Sequence, residues 1–215
     1  MPLLTVGTLP EYRLKGIQKE IWKRVQAWTN KTCDFVFLFT DDSATGFYDR
    51  LGLRQEPEYI ETITCQRLSI RDKQRYRKLN LERVDDYETI TRLSKEREMV
   101  SDRIGFKNTN LLMFMFLYEY HDNSFYIEDI DTVIIVKETE TRLLVHDIVS
   151  EKTPCFSDIE PFLSQFGKEE ISFLFCTDRL GIEKPYRTKV AESILYVSND
   201  FQLAGEYIFP YSIRA

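Results

Sequence analysis

The segment Val6–Gln18 combines residue types that suit the binding of a phosphate group. Its pattern predicts a strand that stops at Pro10, a polar turn, and a helix that begins at Gly16. The start of a helix leaves backbone N–H groups unpaired and carries partial positive charge, and both favour a bound phosphate. Arg13 and Lys15 add positive charge at the same place, and Gly16 permits close approach of the backbone. The spacing alone is equally compatible with a plain strand-to-helix turn whose basic residues are solvated.

The other residues that could perform catalytic or metal chemistry give weaker signals. They are spread along the chain as Cys33, Cys65, Cys155, Cys176, His121 and His146. Because the cysteines form no C-x-x-C pair, we expect no zinc site and no metal cofactor. No G-x-S-x-G elbow supplies a nucleophile for either histidine. The absence of G-x-x-x-x-G-K-[ST] and G-x-G-x-x-G gives no support to nucleotide hydrolysis or a dinucleotide cofactor.

Composition is that of an ordinary globular chain. The 215 residues are 43% apolar and 30% charged, which predicts one or two domains and excludes a mainly disordered chain. The net charge of −6 and the pI of about 5.2 disfavour a general polyanion binder, so we do not expect nucleic acid as a partner. We expect no membrane anchor and a cytoplasmic location. The chain shows no signal-peptide pattern, and its longest apolar run, Leu111–Leu117, is too short to cross a bilayer.

Strands and helices are predicted to alternate around the phosphate-binding turn. The strand predictions cover Leu3–Thr8, Phe35–Phe39 and Tyr59–Leu68. The helix from Gly16 has apolar residues at helical spacing, which are Ile17, Ile21, Trp22, Val25 and Trp28. A short helix is expected after the second strand, with N-cap oxygens from Asp41, Asp42 and Ser43 and a stop at Gly52. Asp41 and Asp42 could instead act as a base or bind an amine, although capping is the favoured role.

The second part of the chain repeats this alternation. Helical patterns between Asp85 and Asn123, broken near Gly105, precede short strands at 125–127, 132–136 and 142–148. A helix from Ser157 and a strand at 171–176 follow, and strands at 193–197 and 206–208 finish the chain. The FVFLFTD run at 35–41 is echoed by ISFLFCTD at 171–178, which suggests two related units. We predict a mixed α/β fold with units at 1–68 and 77–215, separated within the basic stretch 67–83.

Two motifs in the first unit resemble the GNAT superfamily of N-acetyltransferases. Arg13 and Gly16 match the Arg/Gln-x-x-Gly-x-Gly/Ala loop that binds the pyrophosphate of acetyl-CoA in that family, and Gln18 replaces its last small residue. Further on, Ala44, Tyr48 and Gly52 match N-x-x-A-x-x-x-Y-x-x-x-G-F, whereas Asp41 and Leu53 are substitutions. The resemblance implies GNAT-like mixed sheets flanked by helices. The first unit would lack the family's first strands and helices, and the second would be a degenerate copy without the loop.

The resemblance also implies a function and its residues. The implied function is transfer of an acetyl group from acetyl-CoA, as substrate, to an amine acceptor. Tyr48 would protonate the leaving thiolate. The cofactor would contact two backbone segments, namely Gly7, Thr8 and Leu9 beside its pantetheine arm, and Arg13, Leu14, Lys15, Gly16, Ile17 and Gln18 around its pyrophosphate. For Tyr48 the alternative is a packed helix tyrosine.

A second function class stays open from the sequence. The basic stretch 67–83 contains Tyr76 among seven basic residues, so an inactive GNAT-like scaffold could contact RNA phosphates there. A solvated linker is the favoured interpretation of that stretch. The second unit, or a second copy of the chain in a homodimer, could cover any open sheet edge that an incomplete first unit leaves.

Overall fold

The computed structural model describes residues 1–65 and 74–214. The helices are α1 (Ile17–Thr32), α2 (Thr45–Arg50), α3 (Val84–Glu96), α4 (Thr109–Tyr118) and α5 (Phe156–Ser164). The strands are β1 (Phe37–Thr40), β2 (Arg54–Glu56), β3 (Tyr59–Thr64), β4 (Tyr76–Lys78), β5 (Ser124–Ile127), β6 (Thr132–Glu138), β7 (Arg142–Ser150), β8 (Glu170–Phe173), β9 (Tyr186–Lys189) and β10 (Ile194–Val197). The mixed α/β class predicted from the sequence is confirmed. The end of the predicted strand at 59–68 and residues 67–73 of the basic stretch lie outside the described residues.

The chain forms two compact units whose bounds differ from the predicted 1–68 and 77–215. The first unit consists of Met1–Glu58 and Lys189–Glu206, and the second of Tyr59–Thr188 and Tyr207–Ala215. The difference arises from strand pairing. β10 lies between β1 and β2 and pairs antiparallel with both, so a late segment of the chain completes the first unit. β3 pairs with β8 and therefore belongs to the second unit.

The first unit packs α1 and α2 around one apolar cluster. Its buried members are Trp22, Val36, Leu38, Tyr48, Leu53 and Tyr196. The Trp22 indole N–H donates to the Leu51 carbonyl at 2.8 Å, which ties α1 to the end of α2. The predicted apolar face of α1 is only partly buried, because Ile21 and Trp28 are 48% and 56% exposed. The apolar cluster therefore buries a narrower stripe of α1 than the sequence pattern predicts.

The strand predicted over Leu3–Thr8 is wrong. Only Pro2 forms a bridge, parallel to Phe37, and the Leu3 N–H donates to the Phe37 carbonyl at 2.8 Å. Beyond Leu3 the chain leaves β1, and Thr5 adopts the left-handed backbone conformation at φ 52°. The first three residues therefore lie beside β1, whereas Gly7 and Thr8 have other hydrogen-bond partners.

The second unit is built on a sheet with the strand order β4-β5-β6-β7-β8-β3-β9 among the described residues. The β7–β8 pair is parallel, whereas β4–β5, β5–β6, β6–β7 and β3–β8 are antiparallel. Alternate residues of β6 enter two cores. Ile134 and Val136 pack in the core that contains α5, and Val133 and Ile135 pack in the core that contains α3 and α4. This alternation is the two-residue period of a strand buried on both faces.

Several local predictions for the second unit agree with the structure and one does not. The broken helical region, the strands near 125, 132 and 142 and the helix near 157 correspond to α3, α4, β5, β6, β7 and α5. The strand predicted at 206–208 is wrong, since those residues form no ladder, although Tyr207 and Ile208 are buried. The short polar strands β2, β4 and β9 were not predicted, because none has an apolar run or clear alternation.

Candidate functional site

The turn before α1 has the backbone geometry of an open helix start. Gly16 is the N-cap residue and takes the left-handed conformation at φ 75°, which glycine adopts without strain. The first helical hydrogen bond runs from the Glu20 N–H to the Gly16 carbonyl at 3.2 Å. The N–H groups of Ile17, Gln18 and Lys19 precede that bond and therefore have no partner within the helix. They point to an anion-binding role, because the positive end of the helix dipole lies at the same place.

Side chains of the turn hold the preceding segment in place. The Arg13 Nε donates to the Thr8 carbonyl at 3.0 Å. The Gln18 Nε2 donates to the Gly7 carbonyl at 2.6 Å and to the Thr8 Oγ1 at 2.9 Å. Residues 7 and 8 are thus fixed by the helix start and not by a neighbouring strand.

Tyr48 lies in α2 and is largely buried. Its ring packs against Phe47 and Tyr196, with ring centroids 5.1 and 5.4 Å apart. Burial, followed by the nearby Asp41 carboxylate, raises the pKa of the Tyr48 hydroxyl above its usual value. The group is therefore protonated at neutral pH and available as an acid. Among the described residues, its hydroxyl has no hydrogen-bond partner.

One open cleft of about 830 Å³ brings the turn and Tyr48 together within the first unit. Its lining contains most of the residues predicted from the sequence, namely Gly7, Thr8, Arg13, Leu14, Gly16, Ile17, Gln18 and Tyr48. Leu9 and Lys15 do not line it. Leu9 is exposed, and the Lys15 ammonium lies 5.4 Å from the centre of the Tyr12 ring.

The cleft also has lining residues that the sequence did not single out for it. Lys19 and Arg50 add positive charge to that of Arg13, while Val6, Tyr12 and Phe47 contribute apolar surface. Lys19 could have been found from its place in the first turn of α1. Arg50 is brought to the cleft by α2, so only the tertiary structure shows its position there. The resulting lining combines apolar surface with basic side chains.

Asp41 takes the capping role that the sequence favoured. Its Oδ1 accepts a hydrogen bond from the Ser43 backbone N–H at 2.9 Å and another from the Ser43 hydroxyl. These hydrogen bonds lower the pKa of the Asp41 carboxyl, so it stays ionised. Asp41 thereby fixes the turn that leads into α2 and Tyr48.

The described part of the basic stretch is paired with acidic side chains of the second unit. Arg75 contacts Asp129, Arg77 contacts Asp86 and Glu128, Lys78 contacts Asp122, and Arg83 contacts Asp85. Much of the positive charge at 74–83 is therefore neutralised locally. The residues at 67–73 lie outside the described part of the chain.

The two histidines have different surroundings. His121 is exposed and lies 2.9 Å from Asp122, whereas His146 is buried in β7 and its Nδ1 lies 3.3 Å from the Tyr120 hydroxyl. Within residues 1–65 and 74–214, no three His, Cys, Asp or Glu side chains form a metal-binding group. In the same residues, no helix is long and apolar enough to cross a membrane.

Comparison with solved structures identifies the fold as that of GCN5-related N-acetyltransferases. A conserved protein from Enterococcus faecalis V583, a probable N-acyltransferase, is 13% identical with a TM-score of 0.55 over 88% of this chain and 52% of its own. A GCN5-related N-acetyltransferase from Kribbella flavida is 13% identical with a TM-score of 0.52 over 90% of this chain and 51% of its own.

A GCN5-related N-acetyltransferase from Anabaena variabilis ATCC 29413 gives a similar result. It is 14% identical with a TM-score of 0.51, over 89% of this chain and 53% of its own. The chain thus spans about half the length of the solved structures that it resembles. No protein-family model matches the sequence, and no curated protein matches it either.

Proposed function

We propose that the chain is an N-acetyltransferase that binds acetyl-CoA in the cleft of the first unit. The observation that carries this proposal is the meeting of the open helix start, the Gly7–Thr8 segment and Tyr48 in one cleft. The likeness of the fold to that of GCN5-related N-acetyltransferases supports it independently.

The helix start suits the pyrophosphate of the cofactor. The N–H groups of Ile17, Gln18 and Lys19 supply neutral donors, and the side chains of Arg13 and Arg50 supply charge along the same lining. The pantetheine arm carries two amides, and the backbone groups of Gly7 and Thr8, which line the cleft, can pair with them. Both halves of the cofactor thereby have partners of the right chemistry.

Transfer needs one acid at the end of the pantetheine arm. The amine attacks the thioester carbonyl, the carbon–sulfur bond breaks, and the Tyr48 hydroxyl gives its proton to the leaving thiolate. The new amide nitrogen releases its extra proton to solvent, and solvent restores the proton on Tyr48. The raised pKa of Tyr48 suits this role, because the hydroxyl stays protonated across the neutral range.

The corresponding helix of the second unit offers no such site. The backbone N–H of its N-cap residue, Cys155, donates to the Asp158 carboxylate at 3.0 Å, and the Phe156 N–H donates to the Leu180 carbonyl at 2.8 Å. A carboxylate therefore occupies the start of α5, where it repels a phosphate. We accordingly assign cofactor binding to the first unit alone and treat the second as a GNAT-like unit without a cofactor site.

Release of free thiol from acetyl-CoA tests the proposal. Wild-type protein supplied with a panel of primary amines should release thiol faster than the amines alone. Tyr48→Phe should lower kcat about 100-fold, as expected for the loss of a general acid, while KM for acetyl-CoA changes little. Tyr87→Phe, an exposed tyrosine on α3, is the matched control and should keep the wild-type rate. A Tyr48→Phe protein with full activity would remove Tyr48 from the mechanism, and CoA binding without thiol release would favour the scaffold alternative.

A further inference from the structure

Gln18 makes two side-chain hydrogen bonds between residues that line the proposed cofactor cleft. Its Nε2 donates to the Gly7 carbonyl at 2.6 Å and to the Thr8 Oγ1 at 2.9 Å. The side chain belongs to the first turn of α1, whereas its acceptors belong to the segment that precedes the turn. Gln18 thus bridges the two backbone segments that line the cleft.

The Gly7 carbonyl is also an acceptor that a pantetheine arm needs. A ligand that pairs with an extended backbone segment gives its amide N–H to a carbonyl of that segment. The short bond from Gln18 already uses this acceptor, and the glutamine side chain lies beside it. Arg13 occupies the Thr8 carbonyl in the same way, at 3.0 Å.

We infer that Gln18 is a latch that competes with the pantetheine arm for the Gly7–Thr8 edge and so sets the affinity for CoA. This inference rests on the proposed function, because it concerns the same cleft. The latch consists of hydrogen bonds at the protein surface, so a ligand that supplies equivalent donors can replace them at small cost. The nucleotide half of CoA makes no use of that edge and is therefore indifferent to the latch.

Gln18 is a better position than Arg13 to test this competition, because Gln18 carries no charge and its replacement leaves the attraction for phosphate unchanged. Methionine has nearly the same length and a high helix propensity but no N–H donor. Gln18→Met therefore removes the two hydrogen bonds while it keeps most of the bulk. Gln26→Met places the same substitution at an exposed site further along α1 and serves as the matched control.

Calorimetric titration of the full chain with CoA, and separately with adenosine 3′-phosphate 5′-diphosphate, tests the latch. Gln18→Met should bind CoA about three- to tenfold more tightly than wild type, the factor expected for net loss of a competing hydrogen bond. The nucleotide should bind wild type and Gln18→Met equally, and Gln26→Met should match wild type with both ligands. Thermal unfolding of each variant establishes that it is folded.

Unchanged or weaker CoA binding by Gln18→Met would refute the competition between Gln18 and the pantetheine arm. Gln18 would then stabilise the turn or contact the ligand directly. An equal gain for CoA and for the nucleotide would refute the competition too, because the effect would then lie at the pyrophosphate. If neither wild type nor Gln18→Met binds CoA, the proposed function itself fails. If wild type binds CoA and only the predicted gain is missing, the proposed function stands and the latch does not.

Discussion

Burial sets the protonation state of two side chains in this protein, Tyr48 and His146. Tyr48 keeps its proton because burial disfavours the phenolate, and His146 is held neutral for the same physical reason. His146 is 7% exposed, and its Nε2 is buried with no hydrogen-bond partner among the described residues. Burial, together with the nearby Lys137 ammonium, lowers the pKa of His146 from 6.5 to about 4, against the smaller opposing effects of Glu119 and Asp147.

Neutral His146 makes the stability of the chain depend on pH. Because the folded-state pKa lies below 6.5, the unfolded chain binds the proton first as pH falls, and the free energy of unfolding decreases through the window from about 6.5 to about 4. Between pH 7 and pH 4.5 we expect a loss of roughly 2 kcal/mol that His146→Phe does not show. Urea unfolding at the two pH values measures it, and His121→Gln at the exposed histidine should behave as wild type. Equal pH sensitivity of wild type and His146→Phe would contradict the assignment.

The strand β10, which comes late in the sequence, joins β1 and β2 of the first unit. The Tyr196 hydroxyl lies 2.8 Å from the Asp49 Oδ1 and 3.0 Å from the Thr45 carbonyl of α2, and it accepts from the Gln55 Nε2 of β2 at 2.8 Å. Its ring packs against Tyr48. Tyr196 therefore links β10 and β2 to the helix that presents the proposed acid.

Two substitutions of Tyr196 distinguish the contribution of its hydroxyl to stability from that of its ring. Tyr196→Phe should lower the free energy of unfolding by about 1–2 kcal/mol, because Asp49 and Gln55 lose a partner. Tyr196→Ala should lower it by about 3–5 kcal/mol, since a fully buried ring leaves a cavity beside Tyr48. Urea unfolding gives both values, and thiol release should fall further in Tyr196→Ala than in Tyr196→Phe. A smaller loss of stability for the alanine variant than for the phenylalanine variant would refute the linking role.

The elements that the sequence predicted are those with strong local signals. Gly16 and the apolar period after it mark α1, and FVFLF marks β1, because both patterns arise from neighbouring residues. The segment 3–8 was mistaken for a strand because β-forming side chains do not show that Thr5 turns the chain away from β1. The place of β10 between β1 and β2 depends on a contact across some 150 residues of chain, which no local pattern contains.

The candidate site was predicted to a similar extent. The sequence singled out the turn at 13–18 and Tyr48 because residue types and spacing matched a known pattern, and all of these residues except Lys15 line one cleft. Arg50 was missed because it lines the cleft only through the packing of α2, which no local sequence pattern shows. The bonds from Gln18 to residues 7 and 8 were missed because a substitution in a motif shows a change of size but not the partners of the new side chain.

The N-termini of α1 and α5, one in each unit, differ in charge and in hydrogen bonding. α1 begins at a glycine, and its first three N–H groups have no partner within the helix and lie near basic side chains. The N-cap residue of α5 instead donates its N–H to a carboxylate. Gly167, which follows α5, shares the left-handed backbone conformation of Gly16 but belongs to the second unit. An added Cβ meets nothing within 4 Å at either glycine, so valine at each position introduces backbone strain without a clash.

Calorimetric titration of CoA into wild type, Gly16→Val and Gly167→Val tests the central claim most directly. Wild type should bind one CoA, and Gly16→Val should lose about 1–3 kcal/mol of binding free energy, since strain at residue 16 disturbs the N–H groups proposed to hold the pyrophosphate. Gly167→Val should lose stability but keep the wild-type affinity. Equal CoA affinity in wild type and Gly16→Val, or no CoA binding by the wild-type chain, would contradict the assignment of this helix start as the cofactor site.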